Sequence, residues 1–254
     1  MAVNGGRREI GRRLVDNLVL LLVIAGAWQA MHDLAGSVAL SSPLTTLSGA
    51  LELLRSADFW PNVTSTFRAF LLALVIAIGG GVLIGLVLGS SRLLAEAYEP
   101  ALMAFYTVPK VSFFPIILLF CGIGLATEVV FGAIHGIVPV AIFTLNAARN
   151  VRVVFLKTAR VMGLTRAQAW LSILLPSSVP EVFTGIRIGV SLTFIGTILS
   201  EMFGSHQGIG YMLMQAIGSS NGDMIFSLTF LIIAFAVAVS TALLAIDRRL
   251  HRRV

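Results

Sequence analysis

Six long apolar runs constrain the fold of this chain more than any other feature. An α-helix needs about 20 mainly apolar residues to cross the hydrocarbon of a bilayer. Of the 254 residues, 57% are hydrophobic and only 12% are charged, whereas about 25% of the residues of a soluble domain are charged. The sequence therefore predicts an all-α integral membrane protein with about six transmembrane helices. The predicted spans are residues 17–35, 69–89, 101–124, 129–148, 182–203 and 224–246.

The first and third runs differ from a plain span. The N-terminal residues MAVNGGRREIGRRL resemble the charged part of a signal peptide, but the run after them ends in Trp28 and Asp33 without a small-residue cleavage site. We therefore expect a retained first span. The third run is interrupted by Pro109 and Pro115. Because proline lacks the N–H that a helix interior uses, this span is predicted to be kinked or broken.

The basic residues predict the orientation in the membrane. Arg55 and Arg68 lie near one face, and Lys110 and Arg187 lie within spans, but the other fourteen of the 18 basic residues fall on the opposite face. Positive charge is retained on the cytoplasmic side, so both termini are predicted to be cytoplasmic. The net charge of +6 is then explained by topology, and no nucleic-acid partner is expected. The fourteen are Arg7, Arg8, Arg12, Arg13, Arg92, Arg149, Arg152, Lys157, Arg160, Arg166, Arg248, Arg249, Arg252 and Arg253.

The chain is predicted to divide at about residue 60. Residues 1–60 would comprise the N-terminal cytoplasmic tail, the first transmembrane helix and a long external connection. Residues 61–254 would form a second transmembrane domain with a cytoplasmic segment at about 149–180. A short apolar helix is predicted at residues 211–217, outside the membrane on the other face.

The cytoplasmic segment contains a pattern typical of two helices joined by a tight turn. Gly163 suits the left-handed position that closes a helix. Thr165 and Gln168 then form the T-x-x-Q capping box of a second helix, predicted at residues 166–175 and stopped by Pro176.

Three interpretations of this segment compete. Its apolar stripe could lie flat in the lipid interface, it could read DNA as a helix-turn-helix, or it could insert into a groove of a cytosolic partner. Its position between two spans argues against DNA. The stripe consists of Ala167, Trp170, Leu171 and Leu174.

The same segment resembles the cytoplasmic signature E-A-A-x3-G-x9-I-x-L-P of bacterial ABC importer permeases. Residues 157–159 (KTA), Gly163 and residues 173–176 (ILLP) reproduce its spacing without a gap. The chain is similar to the nitrate/sulfonate/taurine branch over roughly residues 60–246. Further similarity lies in residues 108–110 (VPK), 114–115 (FP), 122–124 (GIG), 180–187 (PEVFTGIR), 201–204 (EMFG) and 208–211 (GIGY).

The resemblance implies a five-helix type I importer core with one added N-terminal helix, and a coupling segment that docks on a separate ATPase. Two departures concern the electrostatics: Lys157 stands where the signature has Glu, and Thr158 where it has Ala. The glycine and the final I-x-L-P are intact, so the shape is expected to survive. The coupling residues that the resemblance implies are Lys157, Ala159, Gly163, Leu164, Thr165, Arg166, Ala167, Trp170, Ile173 and Pro176.

ATP is expected to bind a partner and not this chain. A P-loop needs G-x-x-x-x-G-K-[ST], but the only two lysines, Lys110 and Lys157, follow Pro and Leu. No catalytic or metal-binding residues are predicted, and the single Cys121 excludes a disulfide. The resemblance implies a cytosolic ATPase that binds ATP and Mg, a second permease copy and an extracytoplasmic solute-binding protein in the bacterial inner membrane.

Ionisable and polar residues within spans are candidates for the solute pathway. Lys110 could attract an anion, or it could snorkel or pair with Glu128 or Glu201. His135 could line the pathway or be a packing residue, and hydroxyls in span five could satisfy backbone carbonyls. The pathway candidates are Lys110, His135, Ser191, Thr193 and Thr197.

The outer end of span five is a candidate outer gate or binding-protein contact, formed by Glu201, Gly208 and Gly210. The alternative is a solvated loop with a capping carboxylate. For the whole chain, the leading hypothesis is the permease subunit of an importer for a small anion. A stand-alone secondary transporter or channel is the alternative, although it has no need of a docking helix. An intramembrane hydrolase is disfavoured because no G-x-S-x-G elbow exists.

Overall fold

The computed structural model describes residues 3–36, 40–149, 161–165, 168 and 175–251. These residues form helices joined by short connections, and none of them belongs to a strand. Besides a short 3₁₀ segment at Lys110–Phe113, the helices are α1 Val3–Ala35, α2 Pro43–Arg55, α3 Phe59–Gly89, α4 Arg92–Thr107, α5 Phe114–Cys121, α6 Leu125–Arg149, α7 Leu175–Gly204, α8 Ile209–Gly218 and α9 Gly222–His251.

Five of these helices are long and apolar enough to cross a membrane, and a bent pair makes up to six. The predicted number of spans is therefore confirmed. All six spans begin earlier than predicted, and two of the larger differences are α3, which begins at Phe59, and α7, which begins at Leu175. In both cases a proline, Pro61 or Pro176, lies in the first turn, where a missing N–H leaves no hydrogen bond unmade. Pro176 thus lies inside the opening turn of α7.

The third span is broken, as the prolines predict. Helix α4 ends at Thr107, Pro109 precedes the 3₁₀ segment, and the two halves meet at an angle of 87°. The predicted short helix after span five is also present, as α8.

Contacts divide the chain into two compact units, of which the first comprises residues 1–56 and 215–231. Within it, the Ser41 hydroxyl donates to Asp223 Oδ1 at 2.6 Å, and the Ser227 hydroxyl donates to the Thr46 carbonyl at 3.2 Å. Hydrogen bonds between residues so distant in sequence tie α2 to the start of α9. An open cleft beside them is lined by Gly49, Glu52, Leu53, Ser56, Asn221, Asp223, Met224 and Ser227.

The second unit, residues 57–214 and 232–254, is built around α6, which packs between α3 and α7. Small residues allow the backbones to approach closely, as is common between membrane helices. A Cβ on Gly85 of α3 would lie 2.6 Å from the Ala141 carbonyl of α6. A Cβ on Gly136 of α6 would meet the Thr193 hydroxyl of α7 and lie 2.9 Å from Ala77 Cβ of α3.

Candidate functional site

The turn of the predicted coupling segment has the geometry that its sequence indicates. Gly163 has φ +64°, in the left-handed region that favours glycine. The amide of Gln168 donates to the Thr165 hydroxyl at 3.3 Å, and the Thr165 amide donates to Gln168 Oε1 at 3.0 Å. These two reciprocal bonds define a capping box, so the predicted helix start is confirmed.

Most of the other predicted coupling residues lie outside the described part of the chain. Leu164 is half-buried beside the turn, and Pro176 is the second residue of α7. The predicted helix before Gly163 lies almost wholly outside the described residues, as does most of the helix predicted after Thr165. The coupling residues that lie outside are Lys157, Ala159, Arg166, Ala167, Trp170 and Ile173.

The ends of the two helices that flank the coupling segment are joined to each other and to α4. Ser178 near the start of α7 donates from its hydroxyl to the Ala147 carbonyl near the end of α6, at 3.3 Å. Arg149, the last residue of α6, donates from Nη1 to Glu99 Oε2 of α4 at 2.6 Å. The described end of α6 is therefore bonded both to the start of α7 and to α4.

A second ion pair joins α7 to α9 farther along. Arg187 Nε lies 3.7 Å from Asp247 Oδ2, and the Thr184 hydroxyl donates to Asp247 Oδ1 at 3.4 Å. Asp247 is 8% exposed, so these contacts compensate a buried carboxylate.

Lys110 lies at the break in the third span. It is 9% exposed, and its ammonium donates to the Tyr106 carbonyl of α4 at 3.0 Å. Nζ also lies 5.3 Å from the centroid of the Tyr106 ring and 6.0 Å from that of Phe105. Among the described residues no carboxylate lies within ion-pair distance of Lys110, including Glu128 and Glu201. The amino group therefore lies beside two aromatic rings and has further N–H donors for a bound anion.

The remaining pathway candidates make contacts typical of helix packing. His135 Nδ1 is 2.8 Å from the Phe131 carbonyl, and its ring stacks edge-on against Phe131. Thr197 donates to the Thr193 carbonyl at 3.0 Å, and both side chains are fully buried. Ser191 is exposed, with its hydroxyl 3.4 Å from the Arg187 carbonyl. None of the described hydrogen bonds joins any of the four side chains His135, Ser191, Thr193 and Thr197 to Lys110.

The outer-gate candidates converge on one carboxylate. Glu201 is 0% exposed, and its Oε2 accepts from the Gly210 amide at 2.9 Å and from the Thr66 hydroxyl at 3.0 Å. The second oxygen, Oε1, is buried and has no hydrogen-bond partner among the residues that the structure describes. Gly208, with φ +108°, leaves room for the carboxylate, because a Cβ there would collide with it.

Two residues of this site were missed from the sequence. Asn62 Oδ1 accepts from the Gly208 amide at 2.8 Å, and Thr66 Oγ1 accepts from the Ile209 amide at 2.9 Å. Both residues belong to α3. Their spacing of four residues places them on one helix face, but both precede the span predicted at residues 69–89, so no helix was predicted in which that spacing would carry information.

The fold is that of a type I ABC importer permease. The inward-facing MetNI methionine ABC transporter contains a chain that matches with a TM-score of 0.59 and 20% identity, covering 78% of this chain and 96% of that one. A crystal structure of an amino acid ABC transporter with histidines matches with a TM-score of 0.58 and 16% identity, covering 76% and 92%.

The sequence places the chain in a family. The profile described as "Binding-protein-dependent transport system inner membrane component" matches residues 81–254. The chain belongs to this family and is a multi-pass membrane protein.

Three relatives cover nearly the whole chain. The taurine transport system permease protein TauC of Escherichia coli K12 is 24% identical over 251 residues, covering 96% of this chain and 91% of that protein. The nitrate import permease protein NrtB of Leptolyngbya laminosa is 27% identical over 230 residues, covering 86% and 81%. The formylaminopyrimidine transport permease protein ThiX of Halalkalibacterium halodurans is 24% identical over 219 residues, covering 86% and 87%. The predicted resemblance to the nitrate/sulfonate/taurine branch is confirmed.

Proposed function

We propose that this chain is the permease subunit of an ATP-driven importer, and that its segment at about residues 149–180 docks in a cleft of a separate ATPase. The observation that carries the proposal is the left-handed Gly163 followed by the Thr165–Gln168 capping box. A left-handed glycine followed by a capping box is the local geometry that ends one helix and begins the next, as expected of a docking element between α6 and α7. A lipid-surface helix would need no such closed turn.

The assembly follows from the family. A dimer of ATPases would bind ATP and Mg, a second copy of this chain would complete the pathway, and an extracytoplasmic binding protein would deliver the solute. Both termini and the coupling segment would face the cytoplasm across a bacterial inner membrane, since the basic residues cluster on that side. The chain itself would perform no catalysis.

The proposed solute is a small anion of the nitrate, taurine or sulfonate type. Lys110 supports this class because a buried ammonium without an ion-pair partner among the described residues attracts negative charge. Its place at the break of the third span matches that role, since an interrupted helix exposes backbone groups to a ligand.

The loop between α7 and α8 would form the outer gate. The amide of its last residue, Gly208, and the amides of Ile209 and Gly210 at the start of α8 donate to Asn62, Thr66 and Glu201 respectively. Movement of α3 against α7 would break these bonds together, so the loop would open and close with the two helices.

Co-purification with the cytosolic ATPase tests the docking proposal. The detergent-solubilised permease would be compared with its variants Gly163→Pro and Ala167→Glu. Proline cannot adopt φ +64°, and a carboxylate would charge the apolar stripe. Gly79→Ala is the matched control, because a Cβ on Gly79 meets nothing within 4 Å.

Loss of the ATPase in both segment variants, with the control and the gel-filtration profile unchanged, is the expected result. Retention of the ATPase in both variants would contradict the docking proposal and favour a stand-alone transporter or channel.

A further inference from the structure

Helix α4 is weakly packed compared with the helices beside it. Of its 16 residues, Arg92–Thr107, only Ala95 is buried. By contrast, α6 buries most of its length. Pro100 lies inside α4 and removes the hydrogen bond that a backbone N–H would make one turn back. A helix with so little buried surface depends on few specific contacts for its position.

One of those contacts ties α4 to the end of α6. Arg149 Nη1 and Glu99 Oε2 are 2.6 Å apart, and the two side chains are 36% and 31% exposed. A charge-assisted hydrogen bond of this length fixes direction as well as distance. Because the pair is partly exposed, it contributes little to stability, and its removal should leave the protein folded.

The ion pair lies at the end of α6 that adjoins the proposed docking segment. Arg149 is the last residue of α6 and the first of the segment proposed to dock on the ATPase. The Ser178–Ala147 hydrogen bond joins the same end of α6 to the start of α7. Movement of the segment would therefore displace both α6 and α7. Because Glu99 is bonded to Arg149, it would pull α4 in the same direction.

The C-terminal end of α4 contacts Lys110, the residue proposed to attract the solute. The helix ends at Thr107, and Lys110 donates to the Tyr106 carbonyl in its last turn. A displacement of α4 would move the break in the third span and the ammonium with it.

We propose that Glu99 and Arg149 are positioning residues, whose ion pair transmits movement of the coupling segment to α4 and so to the break that carries Lys110. This inference rests on the proposed function, because it requires an ATPase docked on the segment. The solute class does not enter it.

Hydrogen–deuterium exchange of the intact permease in nanodiscs, with and without its ATPase, tests the inference. In the wild type, docking should slow amide exchange both in residues 157–176 and in residues 92–99. In Glu99→Gln, the slowing in 157–176 should persist, while the slowing in 92–99 should fall by about threefold, the scale of a partly exposed pair. The exchanged pair Glu99→Arg with Arg149→Glu should restore it.

Glu96→Gln is the matched control. Glu96 lies on the same helix, but its hydrogen-bonded partner is Arg92 of α4 itself, at 2.8 Å, and its electrostatic interaction with Arg149 is the weaker one, so its loss breaks no hydrogen bond between helices. Three results would each overturn the inference. The slowing of amide exchange in residues 92–99 could fall equally in Glu96→Gln, or it could stay unchanged in Glu99→Gln. It could also fail to return in the variant that carries both Glu99→Arg and Arg149→Glu. Absence of slowing in 157–176 of the wild type would instead overturn the proposed docking, and the transmission with it.

Discussion

The Thr66 hydroxyl of α3 joins Glu201 to the start of α8: it donates to Glu201 Oε2 of α7 at 3.0 Å and accepts from the Ile209 amide at 2.9 Å. Because Glu201 also accepts from the Gly210 amide, the carboxylate and the hydroxyl together hold successive amides of one chain segment. A buried hydroxyl that uses both its donor and its acceptor is costly to replace. The end of the membrane domain at which α7 meets α8 is therefore fixed by a small polar network inside apolar surroundings.

Replacing Thr66 by valine should destabilise the protein. Valine keeps the shape but leaves the Ile209 amide without its acceptor and removes one of the two hydrogen bonds to Glu201 Oε2, at a cost of about 1–3 kcal/mol. Thermal unfolding in detergent measures the effect. Thr64→Val is the control, since the Thr64 hydroxyl is exposed and donates only to the Trp60 carbonyl of its own helix. Equal melting temperatures for the two variants would contradict the network's role.

The glycines of α3 should differ sharply in their tolerance of alanine. Gly85→Ala places a Cβ 2.6 Å from the Ala141 carbonyl, so α3 and α6 must separate. Overpacking of this kind costs about 1–3 kcal/mol. Gly79→Ala on the same helix meets nothing within 4 Å, and alanine should stabilise it slightly through helix propensity. Melting temperatures of both variants check the pair, and a similar loss in both would refute the close packing.

The capping box should determine the order of the coupling turn. Thr165→Ala removes the hydroxyl that accepts from the Gln168 amide, at a cost of about 1 kcal/mol to the second helix. Thr165→Ser retains the hydroxyl and serves as the control. Limited proteolysis of residues 161–168 should be faster in the alanine variant and unchanged in the serine variant. Equal cleavage of both would mean that the box does not stabilise the turn.

Charge at Lys110 should decide anion uptake. Lys110→Met removes the ammonium while keeping an unbranched side chain, so uptake of nitrate and taurine in proteoliposomes should fall by about tenfold or more. Lys110→Arg retains the charge and should lose much less. An equal loss in both variants would show that the hydrogen bond to the Tyr106 carbonyl, and not the charge, is what matters.

The span number, the break at Pro109 and the Thr165–Gln168 box could all be predicted because each depends on local chemistry. Apolar length, a missing N–H and a capping pair act within a few residues. The beginning of α3 could not be predicted in this way. Its first turns carry Asn62 and Thr66, whose polarity resembles a connection until the partners at residues 201–210 are known.

In the first unit, too, contacts between residues that are distant in sequence could not be predicted. Ser227 and Thr46 are 181 residues apart, and only the fold brings them within hydrogen-bond distance. The sequence division at residue 60 therefore gave no indication that residues 215–231 pack with the N-terminal helices. His135 illustrates a further ambiguity, because a histidine in a span has the same sequence pattern whether it binds a solute or packs against Phe131.

Uptake by proteoliposomes that contain the permease, with or without its ATPase and binding protein, tests the central claim most directly. Radiolabelled nitrate, taurine and an alkanesulfonate would be supplied outside, with ATP or a non-hydrolysable analogue inside. The account predicts accumulation of at least one of these anions only when the ATPase and ATP are both present. Accumulation by the permease alone, or at the same rate with the analogue, would contradict it.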